Sequence, residues 1–467
     1  MSDNFKLLDM EKKNYDDVSI PHNINDFIKT GIRKAEHMKR KSMLKKASAI
    51  AACFLLISFV TIVRISPVFA DYLSDVPILK HIIKLINYDK GLKAAIENNF
   101  IQHINVYDEH EGIRFTVDSI IVDETRMVIF YTLENQNKYK VQLNEVSLLD
   151  ESGNNIAASF SYSVIQGDAS KFNDIISVSF TENTNIPDIL TLKAQLAKVE
   201  TGLKDARVGE VPSPSKPLTL ESVWDIKIPI DKTKFKNMKQ IYTLNETITV
   251  EGQKITFGKA VIYPTRIALE VEYDPLNTKE IFSFDDLQFI DEEGEVWAGI
   301  KNGITATHID DNRKILYLES NYFKNPDKLY LKGSSIRALD KDKLEVVLDL
   351  VNKKLLKAPH NLLKLNGYTY GNSHNAGEET INLEFLLRKP ERDESFLYSI
   401  FSSEFTDGAG NKYYDCGTSS RSTEGEKDYN SSIQILIPKN KEYVNPLTFT
   451  ISDYPTRIQG EFIIEVK

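Results

Sequence analysis

The sequence predicts a mainly β protein: an N-terminal helix and one transmembrane helix, then tandem immunoglobulin-like β-sandwich repeats outside the membrane. Three observations lead there. Apolar and polar residues alternate with period two through most of the chain after residue 100. A stretch of that pattern recurs 140 residues later, Gly112–Glu134 against Gly252–Asp274. An uncharged apolar run, Ala47–Val63, separates a basic head from an acidic remainder.

The head, residues 1–46, holds 11 Lys/Arg against 7 Asp/Glu, a net of +4 in a chain whose total is −9. Within it Asn25 or Asp26 is placed to cap a helix carrying Phe27, Ile28, Ile32, Ala35 and Met38 on one face. One amphipathic helix cannot bury its own apolar face. The stripe therefore reads as a candidate partner-binding surface, or as a helix lying on membrane lipid through its basic side. Lys39, Arg40, Lys41, Lys45 and Lys46 immediately precede the apolar run. That collar predicts a transmembrane helix over 47–69, N-terminus cytoplasmic and body extracellular, of a length matching a ~30 Å hydrocarbon core. Val68-Phe69-Ala70 has the small-residue look of a cleavage site, but export signals normally occupy about 15–30 residues. A retained anchor is the expectation.

Residues 70–99 read as two juxtamembrane helices. Asp75 and Pro77 open the first, with Ile78, Leu79, Ile82, Ile83 and Ile86 as its stripe, and the second carries Leu92, Ala95 and Ile96 after Asp89.

The repeat then organises the body. Gly112/Gly252, Thr116/Thr256, Thr125/Thr265 and Arg126/Arg266 are identical between the first two copies, and Glu379–Leu387 is a weaker third. Each copy reaches an Asp-x-x-Gly turn, at Asp150–Gly153, Asp291–Gly294 and Asp407–Gly410. Each then has a proline before a strand, at Pro187, Pro326 and Pro446. Each closes on an alternating strand, "VWDIKIPI", "LEVVLDL" and "EFIIEV". Four landmarks in one order predict three sandwiches, at 100–231, 232–354 and 355–467.

Chemistry is sparse. No P-loop, dinucleotide fingerprint, HExxH or G-x-S-x-G occurs. The Asp-x-x-Gly turns are explained by backbone geometry, with Asp opening the turn and Gly supplying positive φ, so no metal site is expected. His110 lies alone between carboxylates, and Ser373 beside His374 is no nucleophile–base pair. Cys416 has no evident activating group, and Cys53 leaves the body a single thiol. The expectation is no enzyme, no cofactor and no direct nucleic-acid binding, since an acidic body does not neutralise phosphates.

Through Ser66–Glu134, and most tellingly at Pro67, Phe69, Ala70, Pro77, Ile78, Gly91, Leu92 and Ala95, the chain resembles a family of Gram-positive single-span membrane proteins. These carry a domain of unknown function and are often described as negative effectors of extracytoplasmic-function (ECF) sigma factors; immunoglobulin-like domains often follow. The resemblance implies an anti-sigma-like regulator, with a cytoplasmic head that binds a sigma factor and an outer body that senses envelope stress. The competing expectation is an anchored adhesin or stalk whose sandwiches bind an envelope protein or a wall ligand.

Overall fold

The computed structural model describes residues 85–467 except 87, 164–169, 182–183, 200–217, 301–304, 373–378, 391–392, 394–396 and 424–429. The head stripe (Phe27, Ile28, Ile32, Ala35, Met38) and the 47–69 segment lie outside the described residues. The mainly β expectation stands, but the transmembrane part of the fold class is corrected. Among the described residues no helix is long and apolar enough to cross a membrane. A crossing needs about 20 apolar residues, whereas α1 (Lys90–Glu97) has eight and two of them are lysines.

α1 forms where the stripe of Leu92, Ala95 and Ile96 predicts it. Asp89 caps it, its Oδ1 accepting from the Leu92 amide at 3.0 Å, and those three side chains are buried. Gly91 is set by close approach, because a Cβ there would sit 2.7 Å from the Ser320 nitrogen.

The first sandwich runs through β1 (Gln102–His110), β2 (Ile113–Val122), β3 (Arg126–Asn135), β4 (Lys140–Leu149), β5 (Ala158–Tyr162), β6 (Lys171–Phe180), β7 (Ile189–Val199) and β8 (Leu218–Pro229). One sheet has the order β1-β2-β3-β6-β5 and the other β4-β7-β8. Trp224 on β8 is fully buried and donates its indole N–H to the Ile113 carbonyl on β2 at 3.0 Å, tying one sheet to the other.

The second sandwich begins with β9 (Gln240–Val250), β10 (Gln253–Ile262), β11 (Ile267–Tyr273), β12 (Lys279–Phe284), β13 (Gln288–Asp291), β14 (Val296–Ala298), β15 (Ala306–His308), β16 (Arg313–Leu318) and β17 (Leu329–Asp340). Its first sheet, β15-β16-β11-β10-β9, repeats the order of the first sandwich's larger sheet. The likeness extends to irregularities: the β2–β3 ladder shifts register after Val117 and the β10–β11 ladder after Phe257, equivalent positions of the repeat. The three Asp-x-x-Gly turns share one geometry. Asp150, Asp291 and Asp407 each accept from the amides two and four residues on, while Gly153, Gly294 and Gly410 adopt φ of +84°, +83° and +82°.

The expected domain limits fail at the next step. β18 (Glu345–Asp349), which contains most of "LEVVLDL", does not close the second sandwich. It pairs antiparallel with β26 (Leu447–Ile451) in the third, where it joins β19 (Lys354–Lys357), β22 (Phe401–Thr406) and β23 (Lys412–Tyr414). The other sheet of that sandwich is β20 (Leu363–Asn372), β21 (Glu379–Arg388), β25 (Asn430–Pro438) and β24 (Gly417–Thr423). The last strand, β27 (Arg457–Glu465), which carries "EFIIE", leaves the third sandwich and pairs antiparallel with β17 in the second.

In the first sandwich the proline-preceded strand β7 pairs with the closing strand that follows it, β8. Its counterparts β17 and β26 have exchanged closing strands. The third sandwich therefore spans β18 to Tyr454 rather than 355–467, and the second takes its last strand from the C-terminus. The reason lies in the link. Leu339, near the end of β17, is already buried in the third core, and a 3-10 turn at Lys341–Lys343 leads straight into β18. Ile458, Phe462 and Ile464 of β27 are buried in the second core with Phe257, Phe289 and Trp297.

Candidate functional site

Three Thr-Arg pairs lie at the entrances of strands, at β3 (Thr125-Arg126), just before β11 (Thr265-Arg266) and at β27 (Thr456-Arg457). The first two, identical in the repeat, meet face to face where sandwiches one and two join. Asp123 Oδ2 accepts from the Thr265 amide at 2.9 Å and its hydroxyl at 2.6 Å. The other carboxylate oxygen, Oδ1, accepts from the Thr125 and Arg126 amides at 2.9 and 3.0 Å. The Arg266 guanidinium crosses the other way, donating to the Thr125 carbonyl at 2.7 Å and to Ser179 Oγ at 2.7 Å. Arg126 reciprocates with a long contact to the Thr265 carbonyl, 3.4 Å, and a buried ion pair with Asp89, 3.0 Å.

Asp89 thus does two jobs, capping α1 and neutralising Arg126. The next residue, Lys90, donates its amide to Glu319 at 3.1 Å, and burial raises that carboxyl's pKa. α1 is wired into the joint by charge-assisted hydrogen bonds in a dry setting, where such bonds are strong and their loss is costly.

Beside this joint opens a cleft of about 980 Å³, within the size range of ligand sites. One wall comes from the first sandwich and the linker after it, with Phe180, Lys232, Phe235, Lys236 and Lys239; the other is sheet β15-β16-β11-β10, with Val261, Ala268, Ile315 and Tyr317. Arg266 lines it, stacked on the Tyr317 ring at 3.6 Å and only 1% exposed. Among the described residues Arg266 has no carboxylate within ion-pair distance, and burial pulls its pKa down to about 10. Burial also pushes Tyr263, another lining group, up to about 12. The arrangement offers hydrogen-bond donors, cations and apolar surface, with no nucleophile–base pair among these groups. It is equipped to bind.

The third pair sits at the joint between sandwiches two and three. Thr456 Oγ1 donates to the Ala338 carbonyl at 2.6 Å. Arg457 donates to Asp393 at 2.7 Å and pairs with Asp285, while Arg337 pairs with Asp453. Burial raises the Asp453 carboxyl to about 6, against the pull of Arg337.

The residues expected to matter fall elsewhere. Phe27, Ile28, Ile32, Ala35 and Met38 lie outside the described residues, as do Ser373 and His374. His110 bonds Asp108 at 2.9 Å and lies edge-on to Trp224. Cys416 is half-buried in a turn, its amide donating to the Leu436 carbonyl at 2.6 Å. Asp89, Asp123 and Ser179 carry no motif. Two signals did point to the joints: the Thr-Arg identity inside the repeat, and the pentapeptide Tyr-Pro-Thr-Arg-Ile, present at 263–267 and again at 454–458.

Residues 38–135 match the family model described as Domain of unknown function (DUF4179), and residues 239–364 that described as Family of unknown function (DUF5643). The first match ends with β3 and includes α1 and the first Thr-Arg pair. The second runs from β9 past β18 and β19, and stops short of β27. Comparison with curated proteins yields no match. Among solved structures the chain is similar to "the conserved domain protein from Bacillus anthracis", at 14% identity over 55% of this chain and 84% of that one, with a TM-score of 0.38.

Proposed function

We propose that the chain is a non-catalytic signalling regulator of anti-sigma type, in which residues 1–46 hold an ECF sigma factor and the sandwich body senses a stimulus. The observation that carries this reading is the Asp89–Arg126 ion pair. It links α1 with the joint beside the cleft. Occupying the cleft, or bending the joint, changes the partners available to Arg126 and so the docking of α1. Coupling of this kind needs a two-state element biased from both sides, and the joint is the candidate. The resemblance over the first part of the chain supports the sigma-factor assignment, and the reading does not depend on a membrane-crossing helix.

The test is co-purification of a sigma factor with Met1–Lys46, paired with transcription of that factor's target genes in a deletion strain. Retention by the head and raised transcription after deletion are expected. Unchanged transcription, or a head that retains no sigma factor, sinks the assignment.

A second reading, an adhesin or stalk using the sandwiches as binding modules, draws on the exchanged closing strands, which lock sandwiches two and three together through their backbones. It expects residues 1–40 to be dispensable for the cellular phenotype.

A further inference from the structure

The cleft beside the first joint carries a charge opposite to that of the chain. Lys232, Lys236, Lys239 and Arg266 face it against two carboxylates, Glu124 and Glu270, in a protein of net charge −9. Lys232 is engaged by Asp188 and Lys239 by Glu124. Lys236 is exposed, and its amine makes no ion pair among the described residues. A positive site on an acidic body concentrates anions that the rest of the surface repels.

Shape narrows the occupant. Two edge strands bound the cleft: β5, through Ser159, and β15, through Thr307 and His308. Among the described residues each is paired on one side only, β5 with β6 and β15 with β16. Their unpaired edges offer backbone donors and acceptors that an added strand satisfies. The cleft lining also carries apolar side chains, including Val261, Ile315 and Ile309, the last 46% exposed.

We propose that this cleft binds an extended acidic peptide, its carboxylates on Lys236 and the neighbouring lysines, its alternate apolar side chains against Val261, Ile309 and Ile315, and its backbone on an open strand edge. A strand presents alternate side chains to opposite faces, so a segment alternating acidic and apolar residues meets both walls at once. The inference rests on the body being the sensing part of the regulator and names what it senses: a protein segment rather than a small solute.

The test uses the full chain and a fluorescein-labelled ten-residue peptide alternating Glu and Val, with a Lys–Val peptide as control, read by fluorescence polarisation. Saturable binding of the Glu–Val peptide alone is expected. It should weaken by about tenfold or more with Lys236→Glu, with Ile309→Asp, or between about 50 and 500 mM salt. Alternate N-methylation of the peptide should weaken it similarly, since that removes strand donors. Both variants alter exposed side chains, and an unchanged melting temperature confirms that they fold. Absent saturation, equal binding of the two peptides, indifference to both variants, or full binding of the N-methylated peptide overturns the proposal. Sigma-factor retention by Met1–Lys46 is scored separately: peptide binding without retention leaves the site standing and removes the regulatory reading, and the reverse removes the site alone.

Discussion

Between sandwiches one and two the chain passes once, and side chains hold the joint: Asp123, Thr265, Arg126 and Arg266, with α1 attached through Asp89. Between sandwiches two and three it passes twice, outward through Lys341–Lys343 and back into β27, so each sandwich owns a strand that the other's sequence supplies. Both joints use a Thr-Arg pair, yet they fail in different ways. Hydrogen bonds between side chains are lost one at a time, at about 1–3 kcal/mol for each buried group left unsatisfied. An exchanged strand cannot leave without opening a whole sheet edge and an apolar core. The first joint is suited to yield and the second to hold.

The largest expected effect comes from ending the chain before Arg457. Loss of β27 removes Ile458, Phe462 and Ile464 from the second core and exposes β17, which also contributes Leu339 to the third. Calorimetry should show sandwiches two and three melting together in the intact protein, and truncation should remove that shared transition. A third sandwich that melts unchanged in the truncated chain would dissolve the contrast between the joints. Phe462→Ala, a milder form of the same lesion, should cost about 3–5 kcal/mol by chemical denaturation. Phe462 packs 5.5 Å from the Phe257 ring, centroid to centroid.

Arg266→Ala attacks the other joint. It removes bonds to Thr125 and Ser179 and the stacking on Tyr317, and should cost about 2–4 kcal/mol. Small-angle scattering should then report a wider spread of orientations for the first sandwich, while the shared transition of the other two stays in place. Thr265→Val is smaller, about 1–2 kcal/mol, because it deletes one hydroxyl donor to Asp123 and leaves the Thr265 amide bond intact.

A pH dependence also separates the joints. Burial lifts Asp453 to about 6, above its ordinary value of 3.8, with Arg337 and Arg457 opposing. A carboxyl raised on folding adds stability that is complete below about pH 4 and is lost as pH climbs through about 6. Asp340 has the opposite sign. Hydrogen bonds from Lys279 and then Lys343 hold it near 2, so its contribution is present above about pH 4 and fades toward pH 2. In Asp453→Asn the loss between pH 4 and 6 should vanish, and thermal melts at pH 4, 5 and 6 should rise more steeply with pH than in the wild type. Identical slopes would show that Asp453 does not titrate there.

Much of this architecture was legible beforehand. The α1 stripe, the three Asp-x-x-Gly turns and the strand alternation depend on residues within a few positions of one another. Capping, positive φ at glycine and period-two burial are local consequences of side-chain type. The membrane-spanning expectation was also local, resting on length and flanking charge, and the described fold has no helix that meets it.

Partner choice was not legible. "LEVVLDL" and "EFIIEV" alternate alike, and alternation states that a strand has one buried face without saying which edge it joins. Only the packed molecule decided, because Leu339 is committed to the third core and a three-residue 3-10 turn carries the chain onward, leaving the edge of β17 to a strand more than a hundred residues later. The same holds for the joint beside the cleft. The repeated Thr-Arg pairs were visible as a likeness between two copies. That each would bond the other, with Asp123 and Asp89 between them, follows from contacts up to 142 residues apart. The sequence by itself determined the elements and their buried faces, since those obey short-range geometry. The tertiary structure alone decided which edges and which charges meet.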